Sequence, residues 1–240
     1  MTATPPGWLQ PLVDAVRDVH AADLIPRVGE PDENVRRSAV LALFGETDAH
    51  GPDVLLIQRS AHLRSHAGQP AFPGGGIDPG DDGPVGAALR EAAEETGLDP
   101  AGVEVLAVLP DLWVPPSANV VTPVLAWWRE PSEVSPADVY EVASVARVPI
   151  ADLVDPASRL QIRHPSGWIG PAFRVADMLV WGFTAGVLDR LLDLGGWTRP
   201  WDQSMVEDLP EDVLALALRQ RRTVDGGLRQ RRNVDEGEGQ

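Results

Sequence analysis

The 240-residue chain contains no cysteine and no lysine. Without cysteine, disulfides and thiol catalysis are excluded, and the sequence carries no sign of redox compartment. The missing lysine makes all 20 basic residues arginine, which reflects coding bias rather than function. Long apolar runs are also missing. The longest, Met178 to Leu188, falls well short of the ~20 residues that span a bilayer. The opening MTATPPGWLQPLVDAVRDV has no basic stretch and carries acids early, so no signal peptide is expected and the expected location is cytoplasmic. Positive charge is scarce overall: 20 arginines face 36 acidic residues, a net charge of −16. Such a surface repels nucleic-acid backbones, so no nucleic-acid partner is expected. The expected partner is a small molecule, with no membrane contact; a homodimer stays open.

What the chain does have is concentrated between Ala71 and Leu98, AFPGGGIDPGDDGPVGAALREAAEETGL. From Phe72 to Gly86, six glycines and three prolines forbid a regular helix. From Gly86 to Leu98 the spacing predicts a helix. Leu89, Ala92, Ala93 and Thr96 would form a small apolar face, and Glu91, Glu94 and Glu95 would share another. Gly97 suits a left-handed cap. Between Asp78 and Asp99 a single cation, Arg90, stands among seven acids. Crowded carboxylates with so little counter-charge invite a hard divalent cation such as Mg²⁺ or Mn²⁺, which prefers oxygen ligands.

The order Gly76, Asp82, Arg90-Glu91, Glu94-Glu95 and Gly97 resembles the Nudix box, G-x5-E-x7-R-E-U-x-E-E-x-G-U, where U is a bulky apolar residue. Asp82 replaces a glutamate there, and Ala92 fills a U position. Upstream, Leu55-Leu56-Ile57-Gln58-Arg59-Ser60, Arg64, Gly68 and Phe72-Pro73-Gly74-Gly75 resemble the signature of coenzyme A pyrophosphatases, with Ile57 in place of threonine. The later segment from Glu141 to Pro156, EVxxVxxVPxxxLxDP, resembles the same subfamily. The resemblance runs from about Ser38 to Leu192. It implies an α/β/α sandwich with a mixed β-sheet, where periodicity alone gives only α/β or α+β.

The resemblance also implies roles. Glu91, Glu94 and Glu95, with the Gly75 carbonyl, would hold Mg²⁺ or Mn²⁺, and Arg90 would orient the glutamates. The general base is left open between a carboxylate of the cluster and Glu141. Arg59 and Arg64 would hold substrate phosphates, and the substrate-binding stretch extends to Gly68, Phe72 and Gly74. The leading reading is hydrolysis of the diphosphate of coenzyme A or its thioesters. A second is a Nudix pyrophosphatase acting on ADP-ribose or NADH, although LPDLWVPPS lacks the SQPWPFPxS array of NADH-type enzymes. A third is a non-catalytic nucleotide-binding regulator, a class that tends to lose the glutamates kept here.

The rest of the chain reads in order. Residues 6–18 predict a short helix, and Gly29 to Arg37 a polar loop. Ser38–Phe44 and Val54–Arg59 predict strands joined by a hairpin over Gly45–Asp53. Gly102–Leu109 and Asn119–Trp128 predict two more, the second an edge or bulged strand because of Pro123. DLWVPPSA between them reads as a loop over the ligand, with Trp113 a candidate to stack on an adenine. Glu141–Val148 predicts a strand continuing into PIADLVDP. Short strands flank HPSGWIGPAF, and Asp177–Leu194 predicts one long helix. The expected division is an N-terminal helix and loop (1–37), a catalytic domain (38–200), a C-terminal helix (201–222, starting at Pro210) and a disordered tail (223–240). The tail carries LRQRR-x-VD twice.

Overall fold

In a computed structural model of the chain, which describes residues 4–25, 35–63 and 66–216, the α/β/α sandwich is present with its mixed sheet. Most of the Gly29–Arg37 loop, Arg64, the end of the C-terminal helix and the repeat-bearing tail lie outside the described residues.

Helix α1 (Gln10–Ala15) is extended by a 3-10 turn over Val16–Asp18 and followed by α2 (Ala21–Leu24). Strand β1 (Arg36–Thr47) turns back into β2 (Gly51–Arg59) with Thr47 opposite Gly51. Both strands outrun the predicted ones, so the hairpin connection shrinks to residues 48–50. Two short strands, β3 (Pro70–Ala71) and β4 (Gly74–Gly76), stiffen the loop that leads into α3 (Gly83–Thr96), which starts three residues before the expected Gly86 because Pro84 is accepted in a first helical turn. Next come β5 (Val103–Val108), β6 (Leu112–Val114), β7 (Asn119–Trp128), β8 (Val142–Pro149) and α4 (Ile150–Leu153). A second sheet is built from β9 (Arg159–Arg163), β10 (Ile169–Val175) and β11 (Met178–Val180), and α5 (Gly182–Leu194) precedes its last strand, β12 (Val206–Asp208). Residues 211–216 are helical. Among the described residues no helix is long and apolar enough to cross a membrane.

Four expectations are corrected. The DLWVPPSA stretch is a paired strand, β6, and a 3-10 turn, rather than an open loop. Pro123 lies in an inner strand: β7 runs parallel to β1 on one side, while on the other its partner changes from β6 to β5 around Pro123. The missing N–H thus falls where the ladder is already interrupted. The segment after β8 is a helix, because Pro149 fixes φ at −58° and turns the chain out of the sheet. Finally, the long helix expected from Asp177 begins later. Ala176 and Asp177 take φ of 49° and 58°, the geometry of a tight hairpin turn, so Met178–Val180 fold back on β10 before α5 starts.

The main sheet runs β3-β2-β1-β7-β5, with β4 added on β1 and β8 on β2. Alternation along β1 sorts its side chains between two cores. Ala39, Leu41 and Leu43 pack with Ala87, Ala88 and Ala92 of α3. Ala42 and Phe44 pack on the opposite face with Leu12 of α1 and Leu188 and Leu191 of α5. The buried stripe of α3 is Ala87, Ala88, Ala92, Glu95 and Thr96, rotated from the expected one: Leu89 and Ala93 are only partly covered. Small residues on this stripe let the helix approach the sheet closely, and the rotation carries Glu95 inward.

The connection of loop to sheet is equally tight. Gly74 pairs with Val40, and a Cβ at Gly74 (φ +156°) would strike the Ala39 carbonyl oxygen and lie 2.7 Å from the Val40 Cα. We expect Gly74→Ala to cost about 1–3 kcal/mol through overpacking against backbone, lowering Tm by roughly 2–12 °C for a chain of this size. A thermal melt indistinguishable from that of the parent protein would rule out this close approach.

Candidate active site

The site is assembled from three places: the β4 loop, helix α3, and the adjoining ends of β2 and β8. The loop is held to β1 by backbone bonds from Leu41 N to Pro73 O (2.8 Å) and from Ile77 N to Arg37 O (3.0 Å). This puts Gly74 and Gly75 against the last turns of α3, which ends at Gly97 in the expected left-handed cap (φ 71°).

The three glutamates of α3 sit in three environments. The Glu94 side chain is exposed, at 60%. Glu91 is partly buried against Gly75, where an added Cβ would lie 2.5 Å from its carboxyl oxygens. Glu95 is only 6% exposed. Its Oε2 accepts the Gly74 N–H at 3.0 Å and its Oε1 accepts from Arg59 Nη1 at 3.1 Å. Burial pushes the Glu95 carboxyl up to about 7. The Gly74 N–H and Arg59 oppose that rise, while the nearby charges of Glu91 and Glu141 add to it.

Arg90 joins the loop to the cluster. Its Nη1 donates to Glu91 (3.0 Å) and Glu94 (3.1 Å), and its Nη2 to the Gly76 carbonyl (3.1 Å). Its Nε and Nη2 also grip both oxygens of Asp81, at 2.9 and 3.0 Å. This fork holds the Asp81 carboxyl below the usual carboxylate range and raises the guanidinium in turn. Sequence reasoning missed Asp81. Asp82 occupies the box position but stands at the N-cap of α3 and makes no capping bond; its neighbour provides the carboxylate. The signal was there, in the Asp81-Asp82 pair.

Glu141 comes from far along the chain. Val142 in β8 lies opposite Arg59 in β2, and Ser60 N donates to the Glu141 carbonyl at 2.8 Å. The preceding loop is tied to the end of α3, with Ser135 N on Thr96 O (3.0 Å) and Ala137 N on Glu95 O (3.1 Å). The exposed Glu141 is thereby set near enough for its charge to act on Glu95. Of the other residues expected at the site, Phe72 is 2% exposed and packs in the core. Gly68 donates its N–H to Ser60 O at 3.3 Å and accepts from the Gln58 amide. A Cβ on Gly68 would lie 2.7 Å from Leu216. These placements give Phe72 and Gly68 the work of shaping the loop. Trp113 is partly buried in β6.

The donor set suits a hard divalent cation. It consists of carboxylate and carbonyl oxygens, and Gly75 leaves the space that the Glu91 carboxylate fills. Among the described residues no three acidic or imidazole groups close into a cage: Arg90 lies between Glu91 and Glu94, while Arg59 and Gly74 hold Glu95.

A sequence model of the NUDIX domain matches residues 35–167. The chain is 38% identical over 181 residues to a protein of Citrobacter koseri described as an uncharacterized Nudix hydrolase NudL, covering 70% of this chain and 87% of that one. The NudL of Escherichia coli K12 is 36% identical over the same shares. Among solved structures, the M. smegmatis Nudix hydrolase RenU is 21% identical with a TM-score of 0.45, covering 70% of this chain and 90% of that one. The NUDIX domain of Shewanella oneidensis NrtR, complexed with ADP ribose, is 23% identical with a TM-score of 0.41, over 56% and 86%.

The buried carboxylate has a pH signature. A carboxyl whose pKa is higher in the folded than in the unfolded state favours folding when protonated, and that contribution is lost as pH rises from about 4.5 through about 7. With metal chelated, Glu95→Gln should therefore gain on the parent protein across this range, by roughly 1–3 kcal/mol. Denaturant melts of both proteins at pH 4.5 and pH 8 measure the difference. An unchanged difference would show that Glu95 is not held in this way.

Proposed function

The chain belongs to the NUDIX family, and from that premise we propose that it hydrolyses the diphosphate of coenzyme A or its thioesters. Water adds at one phosphorus, the P–O–P bridge breaks, and the products are adenosine 3′,5′-bisphosphate and 4′-phosphopantetheine or its acyl derivative. The observation that carries this reading is the series Arg59, Arg64, Gly68 and Phe72–Gly75 at the coenzyme A pyrophosphatase spacing, running directly into the glutamate helix.

In this reading Glu91, Glu94 and Glu95, with the Gly75 carbonyl, hold Mg²⁺ or Mn²⁺. A bound ion of this kind neutralises diphosphate charge and makes a water molecule more acidic. Arg90 acts as a positioning residue: it fixes Glu91 and Glu94 relative to each other and anchors both to the loop through Asp81 and Gly76. Arg59 is the cation nearest the cluster on the β2 side. It and Arg64 hold phosphate oxygens, for which a planar guanidinium is well shaped. In a chain this acidic, the substrate's third phosphate needs such local cations. Glu141, exposed at the mouth of the site, takes the proton of the attacking water.

A substrate panel of coenzyme A, acetyl-coenzyme A, ADP-ribose and NADH, with Mg²⁺ or Mn²⁺ and product masses as the readout, tests the assignment. We expect adenosine 3′,5′-bisphosphate from the first two at the highest kcat/KM. Efficient cleavage of ADP-ribose or NADH with no such product from coenzyme A would overturn it, and no metal-dependent turnover of any of the four would favour a binding protein. For the base, Glu141→Gln should lower kcat by the ~10²–10⁴-fold typical of general-base catalysis, with a much smaller change in KM. A loss under about threefold would move the proton to a carboxylate of the helix.

A further inference from the structure

Six large hydrophobic residues stand exposed among the described residues, and the two most exposed are neighbours in the chain: Val139 at 65% and Tyr140 at 72%. Tyr140 is also the only tyrosine in the chain. The pair occupies a turn that is firmly pinned. Tyr140 N donates to Asp138 Oδ1 at 2.8 Å, and the N–H groups of Glu141 and Val142 reach the Asp138 carbonyl at 3.0 and 2.9 Å. On either side, Ala137 N is bonded to Glu95 O and Ser60 N to Glu141 O. The turn therefore bridges the end of the glutamate helix and the end of β2, and the Arg59–Glu95 ion pair joins those same two elements beneath it. A largely exposed aromatic ring is thus carried at the rim of the site on a turn held by backbone bonds.

We infer that Tyr140 is a substrate-recognition residue, on which the aromatic base of the nucleotide half stacks. The inference rests on the proposal that this site hydrolyses a nucleoside diphosphate derivative. Such a substrate is an anion entering a strongly acidic protein, so its phosphates are held by metal and arginine and its base gains little from charge. A flat, exposed ring one residue from Glu141 offers the base what those groups lack, a π-face that tolerates any orientation in plane. Base–aromatic stacking lost by truncation weakens binding by roughly 5–150-fold.

The test compares Tyr140→Ala, Tyr140→Phe and Tyr140→Trp with the parent protein. For coenzyme A with Mg²⁺, Tyr140→Ala should raise KM by roughly 5–150-fold and leave kcat within about twofold, while the phenylalanine and tryptophan variants keep the parental KM. Inhibition by adenosine 3′,5′-bisphosphate should weaken in parallel and inhibition by 4′-phosphopantetheine should not. Calorimetric titration of ADP into each protein reads the same contact without turnover. If coenzyme A is not cleaved but ADP binding still weakens in Tyr140→Ala, the ring assignment stands and the substrate assignment falls. Unchanged KM and unchanged ADP binding in Tyr140→Ala would overturn the inference, as would weakened inhibition by 4′-phosphopantetheine alone.

Discussion

The buried carboxylate of Glu95 is the constraint around which the site is built. A carboxylate removed from water is costly unless it is paired and hydrogen-bonded. The Gly74 N–H comes from the loop and the Arg59 guanidinium from the end of β2, so three separate elements have to converge for α3 to lie where it does. The partners do not fully offset the burial, and the carboxyl is pushed up to about 7. The same arrangement explains two glycines. Gly74 must bring its N–H up to Glu95 while its backbone lies on Ala39 and Val40, and Gly75 must leave room for Glu91.

Around this centre the few cations are used sparingly and geometrically. Arg90 serves Asp81, Glu91, Glu94 and the Gly76 carbonyl at once. A chain without lysine has only guanidinium groups for such work, and they recur as planar, stacked partners elsewhere. Arg147 lies 4.5 Å from the centre of the Trp128 ring while bonding the fully buried Asp53 at 2.9 Å. Arg159 lies near both Phe173 and Trp201 and pairs with Asp189. Asp53, Arg147 and Arg159 belong to the strands themselves, so these pairs are contacts within the scaffold.

The sheet then sets distances that chain order hides. Because β8 adds to β2 rather than to its sequence neighbour β7, Glu141 and the turn before it arrive at the free end of β2, beside Arg59. The 135–137 backbone docks on the last carbonyls of α3 and closes the third side of the site. Glu94 and Glu141 are exposed to solvent at this site, between a helix end and two strand ends.

Much of this was readable in the residues. The glycine-rich loop, the helix with its Gly97 cap, the carboxylate cluster and the strand at Val54–Arg59 are local, because turn chemistry, helical spacing and alternation act over a few residues. Sequence alone also placed Arg90 among the acids as their one counter-charge. It could not tell which of Asp81 and Asp82 Arg90 would grip, since a loop of glycine and proline leaves the direction of both side chains open. Nor could it distinguish the three glutamates: only the packing of Ala88 and Ala92 on β1 rotates α3 so that Glu95 is buried and Glu94 faces water. The inner position of β7 despite Pro123, the hairpin at Met178 and the meeting of Glu141 with Arg59 were likewise decided by the tertiary structure, because strand pairing is a long-range choice that no local spacing encodes.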